Sequence, residues 1–260
     1  MKYVKIWRQL TVCSFSSTLS NRVDALSYLL GKIVRFAFFW LFISSLFHFT
    51  STFAGYTKYE ALLIYLTFNV IDVLAQIFLR GIYLFRHDVN SGAFDYTLAK
   101  PLSPLFYILS RLNDLLDIIF SLPIIALLIY VITKLPVSLT LPNILLYIFL
   151  VILGLSLVLS LHIISAAITI RTVESDHIIW FYRDALGLAR LPTDILPDLL
   201  KIIFTYVLPV IVAVTFPTKA LLGRLDLSSI LLAIGLTLIF YSLSLHLWKS
   251  NLKKYSSASS

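Results

Sequence analysis

Glutamate occurs only twice, at Glu60 and Glu174, cysteine once, at Cys13, and charged residues of every kind make up just 13% of the 260-residue chain, against about a quarter in soluble globular domains. A single cysteine excludes an internal disulfide and any cysteine-based metal cluster, so Cys13 reads as a small buried or interfacial side chain. Two glutamates cannot supply the paired-glutamate site of an intramembrane metalloprotease, and the five histidines (His48, His87, His162, His177, His246) are scattered without ligand spacing. A phosphate-cradling GxxxxGK(S/T), HExxH, GxSxG and CxxC are all missing. Covalent catalysis is therefore not expected of this chain. Residues 1–27 carry Lys2, Lys5, Arg8 and Arg22 without a continuous apolar core or a small-residue cleavage site. No cleavable signal peptide is expected there, and the first apolar run has to serve as the insertion signal.

What the chain does have is apolar surface: 59% hydrophobic residues and a mean hydropathy of +0.93. Crossing a hydrocarbon core about 30 Å thick takes about 20 apolar residues, and six runs qualify, near 28–48, 59–79, 112–133, 143–170, 198–217 and 227–247. The runs are continuous rather than alternating, which argues for helices and against a lipid-facing barrel. The expectation is an all-α integral membrane protein of six transmembrane helices, with residues 1–260 forming one transmembrane domain. Apart from Lys32, Arg35 and Lys201, which lie within or beside the apolar runs, the Lys and Arg residues behind the net charge of +8 lie outside them, as membrane orientation requires, and imply membrane lipid rather than nucleic acid as a partner. Four Lys and Arg residues lie in the N-terminal arm, four in 80–111, three in 171–197 and three in the tail, against four in the alternate loops. The positive-inside bias thus places both termini in the cytoplasm.

In the 1–27 arm, Tyr3, Ile6, Trp7 and Leu10 recur at helical spacing with Lys2, Lys5 and Arg8 between them, the pattern of a helix lying in the headgroup region. The 248–260 tail closes on "YSSASS", a short polar segment expected to be disordered. Segment 171–197 allows two readings. Its charges, Arg183 and Asp184 among them, suit an amphipathic cytoplasmic helix, while Ile178, Ile179, Trp180 and Phe181 suit a protein-enclosed span. In the second reading 198–217, broken by Pro209 and closed by Pro217, is a re-entrant hairpin.

Polar residues inside the runs are the candidate sites. Tyr65, Asn69, Asp72 and Gln76 share one helical face of the second run. They either line a substrate or ion path, or Asp72 pairs with Lys32 or Arg35 of the first run and stabilises packing. Arg111, Asp114 and Asp117 open the third run, where snorkelling and an ion pair to Arg80 or Arg111 account for them. Ser156 and Ser160 of the fourth run have the small-xxx-small spacing of close helix approach, and His162 reads as a packing residue.

Residues 81–110 are too polar to span and too short to fold alone. "HDVNSGAFD" places a turn at Gly92, "DYTLA" a short helix capped by Asp95, and Pro101 biases Lys100 away from helix. Pro104 then opens a new helix after Ser103. The stretch "SGAFDYTLAKPLSPLFYIL" resembles the segment between the second and third spans of ABC-2 type exporter permeases, and "LPTDILPDLLKIIFTYVLPVIVAVTFPTKALLG" is similar to their later signature. The resemblance implies a permease subunit without its own ATPase, located in the bacterial inner membrane and catalysing no covalent chemistry. Its implied partners are separate nucleotide-binding ABC ATPase subunits, which hold the ATP and magnesium, and a second permease subunit, identical or paralogous. It assigns contact with the ATPase to a coupling segment, here Arg86, Asp88, Gly92, Asp95, Lys100, Pro101, Ser103 and Pro104. It also favours the re-entrant reading of 198–217. Two rivals are a proton- or ion-coupled secondary transporter using Asp72 and an integral membrane scaffold.

Overall fold

A computed structural model describes residues 2–137, 139–172 and 176–256. Glu174, in the charged segment, lies outside the described residues. Among those described the chain is helical, with one isolated bridge between Phe53 and Tyr56. Helix α1 (Lys2–Ser20) stops at Asn21, whose side chain accepts from the Asp24 amide to start α2 (Arg22–Phe49). A tight turn leads to α3 (Lys58–Leu79), opened by Glu60, whose carboxylate accepts from the Thr57 amide (2.8 Å). Three short helices follow, α4 (Phe85–Asn90), α5 (Ala93–Leu98) and α6 (Pro104–Ser110). Then come α7 (Leu115–Thr133), α8 (Leu141–Thr169), α9 (Asp176–Gly187), α10 (Asp198–Ile202), α11 (Val210–Leu221) and α12 (Leu227–Leu252).

Five helices, Arg22–Phe49, Lys58–Asn90, Leu115–Thr133, Leu141–Thr169 and Leu227–Leu252, are long and apolar enough to cross a membrane. The remaining run is a broken pair, Asp198–Val207 and Val210–Leu221, bent by 98°. Pro209 lies in that break, since it cannot donate to the preceding turn. Pro217 does not close the hairpin as expected: α11 runs through it to Leu221.

Contacts along α3 settle the path of 176–194. Trp180 packs against Tyr83, Arg183 pairs with Asp72, Arg190 lies over Phe68, and Asp194 accepts from Tyr56. As the later segment advances, its partners recede from 83 to 56, so it runs antiparallel to α3 from end to end. It is therefore not a helix confined to one end of the bundle. Its inner face, Ile179, Tyr182, Ala185, Leu186 and Ala189, is buried by protein.

The broken pair begins beside Asp194 and ends at Gly223 and Arg224. Arg224 donates to Glu60 at the same end of the bundle, and Gly223 lies beside Asn143 near the start of α8. Deeper in, the Ala213 backbone meets Gly154, where an added Cβ would stand 2.6 Å from the Ala213 carbonyl oxygen. Ten residues separate 213 from 223 and eleven separate 143 from 154, about 15–17 Å of helix in each. The hairpin thus enters to about half the depth of a bilayer and returns to the end it came from. Gly154 is the glycine that permits this approach. The serines of the small-residue pair instead bond within α8, Ser156 to the Ile152 carbonyl and Ser160 to that of Ser156.

Candidate functional site

Polar groups gather in three places. At the end carrying Tyr56, Glu60 and Arg224, Tyr56 donates to Asp194 (2.8 Å), Lys219 pairs with the same carboxylate (2.7 Å), and Arg224 pairs with Glu60 (2.6 Å). Burial, and then the Asp194 carboxylate, push the Tyr56 phenol well up. Partial burial works to raise the Asp194 carboxyl, but the hydrogen bonds from Lys219 and Tyr56 outweigh it and hold the group below the usual carboxylate range. This cluster ties the hairpin to the α2–α3 turn.

Midway along the bundle, α2, α3 and α9 enclose a cavity of about 450 Å³. Asn69 and Asp72 line it, while Gln76 does not, its amide donating instead to Tyr83 (3.1 Å). Asn69 returns its amide to the Tyr65 carbonyl of its own helix (2.7 Å). The expected partner of Asp72 is corrected: it pairs with Arg183 (3.6 Å), not with Lys32 or Arg35. Lys32 is drawn instead to Asp117 at the start of α7, and α9 delivers Arg183 to the face that Asp72 occupies. Arg190 lies between the rings of Phe39 and Phe68, 4.9 Å from each centroid, and Arg183 sits over Tyr83 and Trp180. His162 is buried beside Tyr83 and Tyr182 with Nδ1 against the Val158 carbonyl, the packing role expected of it.

At the opposite end from Tyr56, the 81–110 segment folds into a compact device. Gly81 lets α6 approach directly, because an added Cβ would collide with the Ile108 carbonyl. Asp88 of α4 is buried against Arg111, and Arg80 pairs with Asp114 and lies 3.9 Å from Asp117. Gly92, at φ 73°, makes the left-handed turn into α5. The cap of α5 is therefore Gly92, and Asp95 falls at its third residue rather than at the cap. There it faces the tail: burial, and then the Asp95 carboxylate, push the Tyr255 phenol up to about 12. Phe94 is fully buried between Phe85 and Tyr255, with centroids 5.0 Å away in both pairs. Tyr255, the first residue of "YSSASS", is thus packed onto α5, while 257–260 lie outside the described residues.

Lys100 stands over the Tyr107 ring (3.7 Å), and Ser103 caps α6 with Pro104 in its first turn. Helix α1 clasps this face: Lys2 donates to the Pro101 carbonyl (2.8 Å), Tyr3 meets Phe106 edge-on (4.8 Å), and Ser14 donates to the Asn113 carbonyl (2.7 Å). Cys13 is exposed on the far side of α1. Arg86 is half-buried on α4. On α5 the exposed large side chains are Tyr96 (76%) and Leu98 (37%). Neither stood out in the sequence. Their only signal was register, since Phe94 and Thr97 turn inward and leave 96 and 98 outside. The structure thus brings residues 86–104 together at one end and Asn69 and Asp72 into a cavity some way from it.

Among the described residues no group of three or more His, Cys, Asp or Glu side chains could hold a metal ion. An all-helical, multi-pass membrane protein with a charged cavity between its spans and a folded device at one end has the build of a transport component. The family profile described as ABC-2 family transporter protein matches residues 33–259, and the chain belongs to that family. It is a permease component of an ABC transporter. No curated protein and no solved structure matches the chain.

Proposed function

We propose that this permease works by export, powered by nucleotide-binding subunits on separate chains that dock on the segment from Arg86 to Pro104. The observation that carries this is the construction of that segment. Two short helices are fixed at a glycine turn, anchored inward by Phe94 and by the Asp88–Arg111 pair, and held laterally by α1 and the tail. Such a block moves as a unit, so a push on Tyr96 or Leu98 reaches α3 and α7 through Arg80, Asp88 and Arg111 rather than dissipating in a loop. ABC-2 permeases generally work with an ATPase subunit, which supports reading the exposed residues as its contact.

The basic residues concentrate at this same end, so both termini face the cytoplasm of a bacterial cell. ATP and magnesium belong to the partner chain. Helix α2 carries Val34, Phe38 and Leu41 on a face more than 60% exposed, and a second permease subunit or lipid covers it. A carrier driven by protons on Asp72 is disfavoured because that carboxylate already has a cationic partner, Arg183, at 3.6 Å.

The test is a Tyr96→Ala/Leu98→Ala double variant in the complex with its ATPase subunits. Both side chains are exposed, so melting in detergent should match wild type. ATP-driven transport in vesicles should fall at least tenfold. Unchanged transport by a correctly assembled double variant would sink the docking assignment.

A further inference from the structure

We propose that the cavity between α2, α3 and α9 binds the transported molecule and that this molecule is an amphipathic anion; the transport half of the statement rests on the reading above. Six charged side chains line the cavity, Lys32, Arg35, Arg183, Arg190, Asp72 and Asp184. Two of the four cations are engaged, Lys32 by Asp117 behind it and Arg183 by Asp72. Among the described residues Arg35 and Arg190 have no carboxylate within 4 Å. Asp184 likewise has no ion-pair partner among the described residues, but it is an exposed residue of α9, and subtracting it still leaves an unneutralised cation in the site.

The position of Arg35 makes this pointed. It is an exposed residue midway along the 28-residue α2, between exposed apolar neighbours in a helix long and apolar enough to cross a membrane, where a charged side chain is costly. Charged residues there pair with one another, line water or meet a ligand. Arg190 is held by ring faces, with no counter-ion within 4 Å among the described residues, and it lines the cavity, where a guanidinium suits a carboxylate, phosphate or sulfate in fork geometry. The walls are aromatic, with Phe36, Phe39, Phe68 and Phe120 beside the cations. Such walls suit a hydrocarbon or ring system attached to the anionic head. The volume of about 450 Å³ falls in the range of sites that enclose a small ligand or a headgroup with part of its chain.

The experiment uses the chain with its ATPase subunits in nanodiscs of phosphatidylcholine. Three probes share a lauroyl chain: lauroyl lysophosphatidic acid (anionic), monolauroylglycerol (neutral) and lauroylcholine (cationic). The anionic probe should bind at least tenfold more tightly than either other. Arg35→Gln/Arg190→Gln should reduce that preference below threefold, and the anionic probe should stimulate ATP hydrolysis in wild type but not in the double variant. If the double variant does not fold, Arg35→Gln alone, which leaves the ring contacts of Arg190 in place, should lower the preference at least threefold.

Equal binding of the three probes, or an undiminished preference in the variants, overturns the anion site. Selective binding without stimulation identifies a resident lipid and overturns the substrate assignment. Absence of any associated ATPase, with selectivity intact on the chain alone, overturns the permease reading and leaves the anion site standing.

Discussion

The device at residues 81–110 and the cavity between α2, α3 and α9 both interrupt an apolar chain with charge, and they resolve that charge in opposite ways. In the device Asp88 has Arg111 and Asp114 has Arg80. In the cavity Lys32 and Arg183 are paired, but Arg35 and Arg190 have no ion-pair partner within 4 Å among the described residues. A buried charge with its partner is part of the architecture, and its removal strands the other half. A charge left open at the depth of a bilayer is a standing cost, and it persists where a ligand offsets it. The same amino acid, arginine, thus does structural work at one site and recognition work at the other.

The sharpest way to break this comparison is to make one substitution in both places. Arg111→Leu leaves Asp88 buried and unpaired and should cost about 3–5 kcal/mol, read as loss of monodisperse protein on heating in detergent. Arg35→Leu orphans no carboxylate and should cost less than about 1 kcal/mol, while abolishing anion binding. Equal losses would erase the distinction.

Next in size is the contact that holds the hairpin. Gly154→Val would force the Ala213 backbone away and should cost about 1–3 kcal/mol by overpacking, with hydrogen exchange rising first in residues 210–221. The anion site should keep its selectivity, because Gly154 and Ala213 lie outside its lining.

The smallest effect is a pH dependence at the far end. The Asp194 carboxyl is held below its ordinary value, so the folded state binds its proton less readily than the unfolded state. Its contribution is present above about pH 4 and is lost as pH falls through the lowered folded value. Protonation releases Tyr56 and Lys219 together. Exchange at 210–221 should therefore rise below pH 4 ahead of the rest of the bundle, and Asp194→Asn should remove the effect.

Much of the fold was legible because the cost of exposing backbone in lipid leaves long apolar runs only one solution, the helix. The α6 start at Ser103–Pro104, the Gly92 turn and the Arg80 pair were readable from local chemistry. The charge pairing around the cavity was not, since it depends on which helix lies beside α3. The excess of Arg and Asp in 171–197 showed that the segment needed polar company, but spacing along one chain could not name Asp72 as the partner of Arg183. Asp95 was misread as a cap because an aspartate at a turn is a common helix start. The left-handed glycine three residues earlier takes that place and frees Asp95 to face Tyr255. Tyr96 and Leu98 escaped notice because exposure is set by what packs behind them, and the tail that buries Phe94 is about 160 residues away in sequence.

The central claim is that a partner's ATP cycle enters the membrane through the exposed edge of α5, and one crosslinking measurement addresses it without knowing the cargo. With Cys13 replaced by Ser, a photoreactive residue is placed at Tyr96 in one sample and at Tyr130 on the exposed face of α7 in another. The account predicts that position 96 crosslinks to an ABC ATPase identified by mass spectrometry, in a yield that changes between ATP-bound and nucleotide-free states, while position 130 does not. An ATPase that co-purifies yet crosslinks at neither position, or equally at both, would contradict it.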